Sequence, residues 1–299
     1  MFEQRFAAGT AVLTFLLLLV GGIVHGTGSS LACPDWPTCY GTFFPEMKGG
    51  IFFEHSHRIL GAGVGFLTVV LAVLVWRRRE DRSLRYLSLG AVLLVIFQGV
   101  LGGLTVIYKL PAAVSSAHLA TSMIFFSLLI VMAFRLGEAG EGVAAPAPGA
   151  RKWAGLAGLV VYLQIALGGV VRHVHAGLAC GNEIPLCQGS LWPWGAHPIV
   201  LVHMAHRIGG VAVAAAVTAL ALWLWRRVPT RGGVRVLALT ACFLVVTQIV
   251  LGFLSVASFL NLYAVTAHLG VGALLLAACV SMWMMLAGEP PAKQAEAGK

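Results

Sequence analysis

The sequence predicts an all-α integral membrane protein of eight transmembrane helices, arranged as a tandem parallel repeat of two four-helix bundles. Three observations predict it. Hydrophobic residues make up 59% of the 299, charged residues only 10%, and the mean hydropathy is +0.89. Soluble domains usually carry about 25% charge, so this chain has too little polar surface to cover a globule in water, and the bilayer is the solvent that fits. Eight apolar runs, at roughly 7–24, 51–76, 84–107, 112–136, 153–172, 198–225, 233–256 and 260–287, are near the length that spans a hydrocarbon core. Finally, rare polar residues recur in both halves at a nearly constant offset.

The first run could pass for a cleaved signal peptide. Its counterpart at 153–171 is internal and cannot be one, so both are read as retained helices. Arginines cluster in alternate gaps. Arg77, Arg78, Arg79, Arg82 and Arg85 lie between the second and third runs; Arg135, Arg151 and Lys152 flank the central gap; Arg226, Arg227, Arg231 and Arg235 lie between the sixth and seventh. The other gaps hold only Lys48, Lys109 and Arg172. Positive-inside logic puts the arginine-rich loops and both termini in the cytoplasm of a cell-membrane protein, and the long loops at 25–50 and 173–197 outside. The net charge of +9 is thus a topology signal. It lacks the aromatic interleaving of a nucleic-acid groove, so no nucleic-acid partner is expected. The Gly-, Ala- and Pro-rich stretch within 137–152 reads as a cytoplasmic linker between an N-terminal half, 1–136, and a C-terminal half, 153–287, and 288–299 as a disordered tail.

The repeat is precise in register. Cys33 and Cys39 correspond to Cys180 and Cys187, His57-Arg58-Ile59 to His206-Arg207-Ile208, Gln98-x-x-Leu101-Gly102 to Gln248-x-x-Leu251-Gly252, and Ala117-His118-Leu119 to Ala267-His268-Leu269, at offsets of 147 to 150 residues. Each unit has an even number of helices, so both insert the same way and equivalent groups share one depth. Gln98, Gln164 and Gln248 each open a Gln-x-x-Leu-Gly pattern, which reads as helix packing, with glycine allowing close approach and glutamine bonding across helices.

His57, His118, His206 and His268 lie inside apolar segments on even-numbered helices, about two turns from the outer end. Two imidazoles at one depth on facing helices suit a six-coordinate porphyrin iron between them. Ionisable residues at this depth mark function by default. Zinc fits less well, because no cysteine or third histidine joins either pair at liganding spacing. Arg58 and Arg207 follow a histidine directly and read either as salt bridges to haem propionates or as side chains snorkelling to the interface. Glu54 lies one turn before His57, and its counterpart is His203. A carboxylate beside a porphyrin can move protons, which points to chemistry in the first half and a supporting cofactor in the second. His25, His55, His173, His175 and His197 lie at or near loops and receive no role.

Cys33 and Cys39 share one outer loop and Cys180 and Cys187 the other. On the oxidising side, intraloop disulfides are the natural reading, with a redox-active role for the first pair left open. Cys242 and Cys279 are intramembrane and read as inert packing residues.

Taken together, the eight-helix double repeat, the paired loop cysteines, Glu54-x-x-His57-Arg58 on helix 2, His206-Arg207 on helix 6, and Ala-His-Leu on helices 4 and 8 resemble the haem A synthase family over about residues 7–287. The resemblance implies conversion of haem O to haem A, a ring methyl becoming a formyl group, for haem-copper terminal oxidases. It implies that His57 and His118 hold the substrate haem, that His206 and His268 ligate a resident haem b, and that Glu54 is essential. The Cys33–Cys39 pair would lie beside the substrate site. The farnesyltransferase that makes haem O would be a partner, membrane lipids the surroundings, and an oligomer stays open. So does the chemistry of oxidation, by oxygen activation and successive hydroxylation or by electron withdrawal and addition of water.

Two other classes compete. A bis-histidine membrane cytochrome b subunit for electron transfer would share the histidine pairs, but the Glu54/His203 difference argues against identical halves. A transporter with a parallel repeat would place its site at broken helices near the midplane, whereas here the polar groups lie near the outer surface.

Overall fold

A computed structural model describes residues 1–137, 148–227 and 233–287. It contains eight helices long and apolar enough to cross a membrane: α1 (Phe2–Gly26), α2 (Gly49–Arg78), α3 (Arg82–Ile107), α4 (Ala112–Leu136), α5 (Ala150–His173), α6 (Pro198–Arg227), α7 (Gly233–Ala257) and α8 (Leu262–Met285). The protein is an integral membrane protein, as composition predicts. Most of the expected linker and the expected tail at 288–299 lie outside the described residues. The end of that linker, 150–152, forms the first turn of α5.

Local chemistry sets several boundaries. Asp81 caps α3, its carboxylate accepting from the Ser83 and Leu84 N–H groups, and Asn261 caps α8 by accepting from Tyr263. Pro198 opens α6, where a missing N–H does no harm. Helix α1 begins five residues earlier than its apolar run, because Glu3 is buried against Arg78 (3.2 Å) and Arg79 (3.4 Å) at the end of α2. The ion pairs make these polar residues part of the helix.

Helix α1 packs on α2 and α4, and α3 packs on α2 and α4, so the first four helices close a ring. Helices α5 to α8 close a second ring by the equivalent contacts. The rings meet where α4 packs on α5 and α8 and α1 packs on α8. Short turns repeat as well. Lys109 and Leu110 (φ 55° and 64°) join α3 to α4, and Phe259 and Leu260 (φ 53° and 64°) join α7 to α8. Left-handed backbone at two consecutive non-glycine residues is uncommon; both turns hold it through an N–H bond from the second residue back to a helix carbonyl, Thr105 in one and Ser255 in the other.

Leu71, Met123, Leu129, Met132, Leu224 and Met282 are among the fully buried side chains of one continuous core. Phe66, Val211 and Phe243 face outward at 67–70% exposure. In water such a surface would aggregate; in a bilayer it meets acyl chains, while every helix satisfies its backbone internally.

Candidate functional site

Both long loops fold over the N-terminal end of the helix that follows them. Cys33 is bonded to Cys39 and Cys180 to Cys187, so the expected intraloop disulfides form. Each closes a small hairpin, with Cys39 bridged to Thr42 and Cys187 to Ser190. At the tips, Tyr40–Gly41 and Gln188–Gly189 adopt matching left-handed backbone, with both glycines at φ 74°. The Asp35 carboxylate organises the first loop, accepting from the Thr38 hydroxyl, Gly41 N–H (2.9 Å) and Tyr40 N–H (2.6 Å). The Thr38 hydroxyl, then the backbone donors, hold its pKa below the usual carboxylate range. Cys242 and Cys279 are free. Alkylation of unfolded, unreduced protein should therefore label two of the six cysteines and, after reduction, all six; mass spectrometry reads the count, and four labels before reduction would mean that one bridge is absent.

Beneath the first loop, Glu54 is 4% exposed. One carboxylate oxygen takes the Cys33 backbone N–H at 2.8 Å and the other the Arg58 guanidinium at 2.6 Å. Arg58 also donates to the Asp35 carbonyl (2.7 Å), the Thr38 carbonyl (2.5 Å) and, at longer range, Cys33 (3.4 Å). Its terminal nitrogens are thus committed to the loop and to Glu54 rather than to open water.

In the second half the same frame is built without a carboxylate. His203 replaces Glu54; its Nδ1 bonds the Ala176 carbonyl (2.5 Å) and its Nε2 accepts from Arg207 Nε (2.7 Å). Arg207 Nη1 donates to the Glu183 (2.7 Å) and Leu186 (3.2 Å) carbonyls. Its Nη2 is buried with no protein partner. Where Arg58 meets the Glu54 carboxylate, Arg207 meets the His203 imidazole and keeps Nη2 unpartnered.

One turn deeper stand the four intramembrane histidines. The rings of His206 and His268 lie 6.4 Å apart, centroid to centroid, and nearly perpendicular at 80°. Two imidazoles bonded to one metal at about 2.0–2.1 Å would hold their centroids roughly 6 Å apart. The spacing fits a haem iron between them. The Nδ1 atoms of His57 and His268 are buried without a partner. A bis-histidine haem therefore fits the residues present.

Two glutamines do more than pack helices. Gln164 Nε2 lies 2.7 Å from the His206 carbonyl and 3.0 Å from its Nδ1. Gln98, with its amide turned to satisfy both ends, donates to the His118 carbonyl (3.1 Å) and Nδ1 (2.9 Å). Each amide reaches Nδ1 and leaves Nε2 unclaimed; with its nitrogen toward the ring it donates to Nδ1, and with its oxygen there it would accept from Nδ1–H, the tautomer whose Nε2 lone pair can bind iron. Reading the glutamines as packing residues missed this, because the sequence does not say which neighbouring helix a side chain meets.

His55 also gains a place that the sequence did not assign. It is buried, bonds the Phe43 carbonyl through Nε2 (3.0 Å), and has a nitrogen within 4.8 Å of both sulfurs of the Cys33–Cys39 bridge. With both sulfurs in the disulfide the three do not form a metal site. His25 and His173, also without an assigned role, stack edge-on at 5.3 Å, and Ser116 contacts His173 at 3.2 Å, where α1, α4 and α5 meet between the halves.

Comparison with known proteins agrees with these features. Three bacterial proteins named heme A synthase are similar along most of their length. That of Symbiobacterium thermophilum is 36% identical over 281 residues, 88% of each chain. That of Alkalihalophilus pseudofirmus is 32% identical over 73% of this chain and 75% of its own, and that of Shewanella oneidensis 30% over 91% and 93%. The family model COX15-CtaA, described as cytochrome oxidase assembly protein, matches residues 4–49 and 44–280. With an eight-helix fold, disulfide-closed loops and histidine pairs in place, this chain belongs to the COX15-CtaA family of cytochrome oxidase assembly proteins.

Proposed function

We propose that the protein is a haem A synthase, an oxidoreductase that converts the ring methyl of haem O to a formyl group and so supplies haem A for terminal oxidase assembly. The observation that carries this reading is the chemical difference between two otherwise repeated sites. The first half holds a buried carboxylate one turn from its histidine pair; the second holds a neutral imidazole that is bonded at both nitrogens.

On this reading His57 and His118 hold the substrate haem in the half formed by residues 1–136. His206 and His268 hold a resident haem b in 153–287, with Arg207 Nη2 set to take a propionate. When bound, that haem supplies one-electron transfer. Oxidising a methyl to a formyl group adds one oxygen atom, from dioxygen or from water, and with water as the source releases four protons and four electrons to an external acceptor; Glu54 would take the protons one at a time at the carboxylate oxygens that Cys33 and Arg58 orient and pass them on. Arg58, with four contacts inside the protein, offers a propionate only its Nε. The loop held by Cys33–Cys39 covers this end of the first bundle and keeps bulk water off Glu54. Both termini are cytoplasmic and both cysteine loops lie outside, by the arginine distribution. The enzyme that makes haem O is a partner by the logic of supply, since a farnesylated haem travels best within or along the membrane.

The test is to produce the protein alongside a source of haem O and to weigh the extracted haems. A formyl-bearing haem A that is absent without the protein is the expected result. Haem b alone, with haem O unchanged, would favour an electron-transfer cytochrome instead.

A further inference from the structure

Each of the four histidines faces a glycine on a neighbouring helix. A Cβ added at Gly21 on α1 would stand 3.0 Å from His57 Cε1, and at Gly168 on α5 2.9 Å from His206 Cε1. At Gly102 on α3 it would stand 3.5 Å from His118 Cε1, and at Gly252 on α7 3.3 Å from His268 Cε1. None of the four has a positive φ, so backbone freedom does not explain them. Helix glycine is weaker than alanine by about 1 kcal/mol in water, so local helix stability does not explain them either. What they share is an imidazole edge in the space of the missing methyl.

We propose that these glycines are positioning residues for the haem ligands, with Gly21 and Gly168 dominant. The inference rests on the reading of the four histidines as iron ligands. In every case the nearest ring atom is Cε1, the carbon between the two nitrogens. A methyl group there turns the ring about its Cβ–Cγ bond and carries Nε2 away from the iron. At Gly168, below 3.0 Å, the ring must shift; at Gly21 (3.0 Å) and Gly252 (3.3 Å) it must give by a few tenths of an ångström, least at Gly252; at Gly102 (3.5 Å) the contact is ordinary. The gradation is the same in both halves. A histidine on the second helix of its unit is gripped tightly by the first helix, and a histidine on the fourth helix is held more loosely by the third.

The experiment compares Gly168→Ala, Gly252→Ala and, as a control with open space around it, Gly90→Ala. The readouts on purified protein are the low-spin electron paramagnetic resonance signal of the resident haem and its reactivity with carbon monoxide, which six-coordinate bis-histidine iron resists. Gly168→Ala should shift the signal and make a substantial fraction reactive, while Gly252→Ala shifts it slightly and Gly90→Ala not at all. Gly21→Ala guards against simple misfolding. There the second half should keep its parent signal and so report an intact fold, while added iron protoporphyrin binds the first half about tenfold more weakly, the size typical of a disturbed ligand support. Parent-like spectra and binding in both Gly168→Ala and Gly21→Ala would overturn the inference. His206→Ala separates the two levels: if it keeps the low-spin signal, the ligand assignment itself fails; if it loses the signal while Gly168→Ala is unchanged, only the role of the glycines fails.

Discussion

Replacing Glu54 with alanine is expected to abolish the conversion of haem O while leaving the resident haem in place. Loss of a positioned proton acceptor lowers rates by about 10²- to 10⁴-fold, which in extracted haems reads as haem O with no more than traces of haem A. The carboxylate also ties Cys33 to Arg58, so alanine loosens the loop as well. Glu54→Gln separates these effects: its amide oxygen can still accept from Arg58, yet it cannot take up a proton. Both variants should fail in conversion, and the glutamine variant, which keeps one of the two acceptor oxygens, should lose less thermal stability than the alanine variant. Haem A formed at the normal rate by either variant would remove Glu54 from the reaction.

The second large effect concerns stability, and the repeat supplies its own control. Arg58→Leu strands the Glu54 carboxylate, which is 5% exposed as a side chain. Removing one partner of a buried pair costs about 3–5 kcal/mol, because the remaining charge stays uncompensated. The equivalent Arg207→Leu leaves only neutral acceptors, the His203 nitrogen and two loop carbonyls, at a cost of about 1–3 kcal/mol. Thermal unfolding in one detergent should therefore show a clearly larger drop for Arg58→Leu. Adding Glu54→Gln should recover much of that loss, since the stranded charge is then gone. Equal drops for both arginines would mean that the Glu54–Arg58 pair carries no special weight.

How much of this was legible beforehand follows from where each signal lives. Eight helices and the disulfide pairs are written in local composition, in runs of apolar residues and in cysteines six and seven positions apart. The register of His57, His118, His206 and His268 follows from the repeat, and the Glu54/His203 exchange stands out because the His-Arg-Ile three residues on is the same in both halves. Other features needed three dimensions. The early start of α1 depends on Glu3 meeting arginines 75 and 76 residues away. The contacts of Gln98 and Gln164 with their histidines, and the glycines opposite all four rings, depend on which helix faces which. Arg58 presented two readings in the sequence, propionate or interface; the structure shows a third use, as the bracket holding loop carbonyls and Glu54 together. The loop fold around Asp35 was likewise hidden, because a carboxylate that caps backbone N–H groups looks no different in sequence from a solvated one.

The most direct measurement is the absorbance and paramagnetic resonance spectrum of the oxidised, purified protein beside its His206→Ala and His57→Ala variants. The parent should show a Soret band and the highly anisotropic low-spin signal of imidazoles set nearly perpendicular, as the 80° between the His206 and His268 rings requires. His206→Ala should lose that signal, and His57→Ala should keep it while no longer holding haem O. A preparation without a Soret band, or a low-spin signal that survives the loss of His206, would contradict the account.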